Sequence, residues 1–185
     1  MDPATQSGTG LRLRHALAGL QAGVLGALVM LACVMVGSLL NRRSVWVVPN
    51  LFATTFYGAG VYYNDYARTA WAGVALLIVL YGGLGALWGC AWREERKPWL
   101  AVYGAIFGMV VYFVLFDLVW RQINGLVILY APSAQLEFGH ALWGMILAKS
   151  PKYSRRIAER MQAADAGGQT PGAEEPALSS GPAMQ

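Results

Sequence analysis

Charge is what this chain has least of, and its few charges avoid long stretches altogether. Only 13% of its 185 residues are Asp, Glu, Lys or Arg, about half the share carried by a soluble domain. That scarcity excludes an ordinary water-soluble globule. Cysteine and histidine are just as thin, with two of each. Cys33 and Cys90 fall in different apolar runs with no CxxC spacing, which excludes a disulfide framework and a thiolate metal site. They read as small hydrophobes inside packed helices. His15 and His140 complete no set of ligands with metal spacing, so neither a metal nor a cofactor is expected. Nucleophile elbows, P-loops, dinucleotide fingerprints and HExxH are all missing, so no catalytic residue is named and enzymatic activity is the weakest of three readings.

What the chain does have is hydrophobic length. Residues 16–40, 69–92 and 98–116 are free of charge, and ~20 apolar residues suffice to cross ~30 Å of hydrocarbon. The first run follows Arg12 and Arg14 but is about 25 residues long, against ~7–15 for the core of a signal peptide. It reads as a retained span. The expected fold class is an all-α membrane protein, a four-span helical bundle with spans at about 16–40, 70–91, 99–120 and 134–148. In the fourth, the uncharged run 138–148 is short, so the helix is expected to begin at Ser133, acting as N-cap after Pro132. Residues 1–15 form a polar cytoplasmic tail, with 1–10 unordered. Residues 151–163 form a basic juxtamembrane segment, and 164–185 a disordered tail rich in Gly, Ala, Pro and Glu.

Between spans 1 and 2, residues 44–64 are apolar but contain Pro49, Asn50, Gly58 and Gly60, with Trp46, Tyr57, Tyr62 and Tyr63 towards the ends. That composition fits a re-entrant or interfacial element better than a fifth crossing. Charge bias does not decide between the two. With four spans, Lys and Arg divide ten inside (12, 14, 93, 96, 97, 149, 152, 155, 156, 160) to four outside (42, 43, 68, 121). With five, Arg12 and Arg14 trade places with Arg42 and Arg43 and the division is unchanged. The positive-inside rule therefore puts the C-terminus in the cytoplasm and leaves the N-terminus open. The same end-of-span placement argues against a nucleic-acid surface despite the net charge of +4. Lys152, Arg155, Arg156 and Arg160 surround Tyr153, Ile157 and Met161; they read either as a surface helix on anionic inner-leaflet lipid or as a solvated stop signal.

Small residues recur four apart: Gly19 and Gly23, Gly85 and Gly89, Gly104 and Gly108, Gly144 and Ala148. Such pairs let helices approach closely where lipid gives no hydrophobic drive to associate. Packing within the bundle is the favoured use, a homo-oligomer seam or a membrane-protein partner the other. A span-loop-span duplication is a further reading, with Arg68-Thr69-Ala70-Trp71 matched to His140-Ala141-Leu142-Trp143.

The ionisable residues at membrane depth are Asp117, Arg121, Glu137 and His140. Asp117 and Arg121 are spaced i, i+4 and read as a local ion pair. Glu137, His140, Gly144 and Ala148 share one helical face. Groups of this kind are expensive in hydrocarbon and raise the expectation of function. Two uses compete: a polar cluster near the outer interface that orders the bundle of a non-enzymatic scaffold or accessory subunit, and a proton- or ion-linked transporter or channel in which His140 and Glu137 titrate.

Phe138-Gly139-His140-Ala141-Leu142-Trp143, with an acidic residue before and a basic segment after, resembles the YagU-like family of small bacterial inner-membrane proteins. The likeness covers about a dozen residues near the C-terminus and the general plan of spans. It implies a bacterial cytoplasmic membrane and singles out Phe138, Gly139, His140 and Trp143. It implies no reaction.

Overall fold

The structure, a computed structural model, describes residues 3–91 and 99–168, with the side chains of 10–91 and 99–164. Arg93, Arg96, Lys97 and residues 169–185 of the tail lie outside them. Among the described residues the fold is all helical, without strands. In order come α1 (Pro3–Leu40), α2 (Val47–Tyr57), a 3-10 turn (Ala59–Tyr63), α3 (Ala70–Ala91) and α4 (Leu100–Phe113). Helix α4 runs on through a π-helical stretch (Val114–Trp120) into the short α5 (Arg121–Ile123); α6 (Gly125–Tyr130), α7 (Ser133–Leu147) and α8 (Ser150–Gly168) follow. Among the described residues, three helical stretches are long and apolar enough to cross a membrane: Gly10–Leu40, Ala70–Ala91 and Leu100–Ile123.

Both ends are more helical than expected. Helix α1 already covers residues 3–10, where a loose tail was expected, because a long helix propagates at little cost once nucleated. Helix α8 runs to Gly168, past the expected onset of disorder, over the strong helix formers Ala163, Ala164 and Ala166. Helix α7 does start at Ser133, but the cap position is Pro132 and no side chain caps it. The amide of Leu136 bonds the Pro132 carbonyl instead, at 3.0 Å.

The glycines set the architecture. A Cβ on Gly19 would overlap the carbonyl of Gly85, one on Gly89 that of His15, and one on Gly23 would crowd the carbonyl of Tyr81. Helices α1 and α3 therefore cross antiparallel in backbone contact. Helices α4 and α7 repeat the device: Gly104 lies on the Gly144 carbonyl and Gly108 on that of His140. Gly26 makes room for Trp143, and Gly139 for Met30, so α7 also lies antiparallel to α1. All seven glycines read from the sequence as packing residues are thus spent inside one chain.

The antiparallel register brings Leu40 and Ala70 to the same end of the bundle. Residues 41–69 accordingly leave and return there. Within them Val48, Leu51, Phe52 and Ala53 of α2 are fully buried, and a side chain on Gly73 of α3 would strike the Pro49 carbonyl. Gly58, at φ 78°, lets the chain reverse after α2 in a conformation open to glycine.

The two halves share a long helix, loop helix, helix plan, but the tetrapeptides that suggested duplication do not correspond. Trp71 is exposed near the start of α3, whereas Trp143 is wholly buried in the second half of α7.

Candidate functional site

Four residues were expected to form one outer cluster, and the structure distributes them over three places. His140 is 0% exposed. It stands at the centre of α7, a helix about 22 Å long at 1.5 Å per residue, beside Gly108 of α4 and Tyr81 at the middle of α3. That is mid-depth in the bundle and not at the end where α7 begins. The expectation failed because depth follows from the register of α7 against α1 and α4, not from distance along the chain to the nearest loop.

Both ring nitrogens of His140 are engaged. Nδ1 lies 2.6 Å from the Leu136 carbonyl one turn back, and Nε2 lies 2.6 Å from the Tyr81 hydroxyl. A carbonyl has no proton to give, so Nδ1 donates, and Nε2 of the neutral ring then accepts the tyrosine O–H. Aromatic rings wall the pair. Tyr112 and Phe116 have centroids 5.1 and 6.0 Å from the imidazole, and Trp143 stacks edge-on to Tyr81 at 5.3 Å. Trp143 donates its own Nε1–H to the Gly23 carbonyl at 3.2 Å. Phe107 extends the wall from Trp143 to Trp88.

Glu137 sits one turn away, half-buried, and accepts the Tyr112 O–H at 3.3 Å. Asp117 and Arg121 make the expected i, i+4 pair at 3.7 Å, but with side chains 61% and 65% exposed. The π-helical turn directs Leu115, Phe116 and Trp120 inward and leaves Asp117 facing out. Of the family-like motif, Gly139, His140 and Trp143 are buried core and Phe138 is exposed.

The key partner absent from the sequence reading is Tyr81. Its signal was a single phenol at the centre of an otherwise apolar span, with Leu77 and Gly85 on the same face. A second polar contact set was also missed. Asn124 donates from Nδ2 to Thr54 and Thr55 at 2.8 and 3.0 Å and caps α6 by accepting from the Leu126 amide, which ties the α2 segment to the loop after α5. The buried Asn50 donates to the Asn64 carbonyl at 2.5 Å and so braces the return of that segment.

No three His, Cys, Asp or Glu side chains gather among the described residues. His15 lies against Ser154 of α8, its Nδ1 3.4 Å from the hydroxyl. Comparison with protein-family models, with curated proteins and with solved structures gave no match. The chemistry available at the centre is therefore read from its geometry: a neutral histidine and a tyrosine, hydrogen-bonded to each other and enclosed by rings.

Proposed function

We propose that this chain is a four-crossing protein of a bacterial cytoplasmic membrane with both termini in the cytoplasm, serving as a non-enzymatic scaffold or accessory subunit. The shared end of Leu40 and Ala70 supports residues 44–64 as a re-entrant or interfacial element. Helix α7, antiparallel to both α1 and α4 and followed by Lys149 and the basic α8, supports a fourth crossing. The ten-to-four division of Lys and Arg supports the orientation, and the likeness to the YagU-like family adds the bacterial membrane. On α8, Lys152, Arg155, Arg156 and Arg160 are exposed while Ser150 and Ser154 are buried. That arrangement suits contact with anionic inner-leaflet lipid.

The observation that carries the scaffold reading is the complete burial of His140 with both nitrogens bonded inside the protein. A titrating relay needs a path for protons to reach it. Here the rings close around the imidazole, and Asp117 faces away from it. Such a satisfied buried pair serves to select one packing arrangement.

In vesicles carrying a pH gradient and an enclosed pH-reporting dye, the reconstituted protein should leave the gradient decaying at the rate of empty vesicles, with or without His140→Ala. Faster decay with the native chain, lost in His140→Ala while the variant stays folded, would replace the scaffold reading with transport.

A further inference from the structure

Where α1 ends and α7 begins, two cavities of opposite character meet. The first, about 480 Å³, is lined by polar groups of Ser38, Asn41, Arg43, Ser133 and Gln135. The second, about 430 Å³, is a groove on the outer side of α1 whose lining is apolar apart from Gln135, between Val29, Cys33, Val36, Leu40 and Phe138. Gln135 belongs to both. Its side chain enters there because Gly37 has none: a Cβ at Gly37 would lie 3.0 Å from Gln135 Cδ.

We propose that the two cavities form one site for a phospholipid, with its phosphate against Arg43 and one acyl chain in the groove. Three observations point to this occupant. Arg43 is exposed to the polar cavity, has no carboxylate within ion-pair distance among the described residues, and no acidic side chain lines the cavity. A guanidinium left uncompensated in this way matches a phosphate in charge and in hydrogen-bond geometry.

Next, Arg43 is held in place by the end of α1. Its amide bonds the Ser38 carbonyl at 2.9 Å and that of Arg42 bonds Leu39 at 2.9 Å, the two bonds of a Schellman cap. This requires Arg42 at φ 54°, a left-handed conformation that glycine normally supplies.

Finally, the groove has the length of one leaflet. From Leu40 to Val29 is eleven helical steps, about 16 Å, against ~15 Å for half of a ~30 Å hydrocarbon core. The small Ala32, Cys33 and Gly37 and the bulkier Leu40 and Phe138 line the groove, a mix that leaves room for an extended chain. The Gln135 amide stands at the junction, where the ester groups of a glycerolipid would lie.

The test is native mass spectrometry of the full chain in mild detergent, titrated in parallel with phosphatidylglycerol, with diacylglycerol of the same chains and with inorganic phosphate. One phosphatidylglycerol should be retained, and each of the other two bound about tenfold more weakly or less. Arg43→Gln should lower phosphatidylglycerol retention about tenfold, the order of one charge-assisted contact. Ala32→Trp, an exposed position that fills the groove, should do the same while leaving the melting of far-UV ellipticity unchanged. Arg68→Gln, at the same end but outside both cavities, should have no effect. Retention unaltered by Arg43→Gln and by Ala32→Trp would overturn the site. Equal binding of diacylglycerol would remove the phosphate contact, and binding of inorganic phosphate as tight as that of the lipid would remove the groove; either outcome overturns the proposal.

Discussion

Exchanging Tyr81 for phenylalanine takes one oxygen from the centre of the bundle and leaves its shape intact. The lost O–H is the donor that reaches His140 Nε2 at 2.6 Å. Because His140 is 0% exposed, that nitrogen becomes a buried acceptor with no water to turn to. Stranding one such group costs about 1–3 kcal/mol. His140→Leu makes the complementary orphan, the buried Tyr81 hydroxyl, and also removes the ring packed on Tyr112 and Phe116, so its cost is about 2–4 kcal/mol. The double variant strands neither partner. It should therefore be more stable than the sum of the two losses predicts, by about 1 kcal/mol, within the ~0.6–1.7 kcal/mol seen for hydrogen bonds between membrane helices. Reversible unfolding in mixed micelles by dodecyl sulfate, followed by far-UV ellipticity, measures all four proteins of the cycle. Losses that add within ~0.3–0.5 kcal/mol would show that Tyr81 and His140 exchange no hydrogen bond, and the account of a satisfied dry core would fail.

Two further predictions use the same titration. Gly104→Ala, whose Cβ would overlap the Gly144 carbonyl, should destabilise by about 1–3 kcal/mol as the α4–α7 seam is forced apart. Gly83→Ala, which meets nothing within 4 Å, should instead stabilise by about 0.5–1 kcal/mol through helix propensity alone; equal effects at the two positions would contradict the assigned seam. Arg42→Gly relieves a left-handed residue at φ 54° and should raise stability by about 1 kcal/mol. A loss there would mean that the Arg42 side chain does more than occupy the cap.

The sequence displays the lengthwise organisation well and the lateral organisation poorly, and the residues show why. Crossing a membrane demands a run of apolar composition, so 16–40, 70–91 and 99–120 stand out and correspond to Gly10–Leu40, Ala70–Ala91 and Leu100–Ile123. Glycine spacing likewise announces that Gly19, Gly85 and Gly104 are contact points. It carries no label saying that Gly19 meets Gly85 while Gly104 meets Gly144, since every such pair looks alike in one dimension. The same loss of information hides Tyr81. Its hydroxyl finds its partner in His140, which is 59 positions away in the chain. An interfacial tyrosine would look no different. Asp117 misled in the opposite sense, because a π-helical turn shifts the angular position of everything after Phe113 and no residue in Val114–Trp120 advertises it.

The glycine seam between α1 and α3 also bears on how the molecule is made. Gly19, Gly23, Gly85 and Gly89 all belong to the first 91 residues, so this backbone contact closes on a hairpin that leaves the ribosome before α4 does. Synthesis runs from the N-terminus, and this hairpin presents Gly26 and Gly23 as a ready berth for Trp143, the last tryptophan to arrive. Gly23 and Gly26 are thus in place before Trp143 is made, and its ring is the side chain that docks α7 on α1.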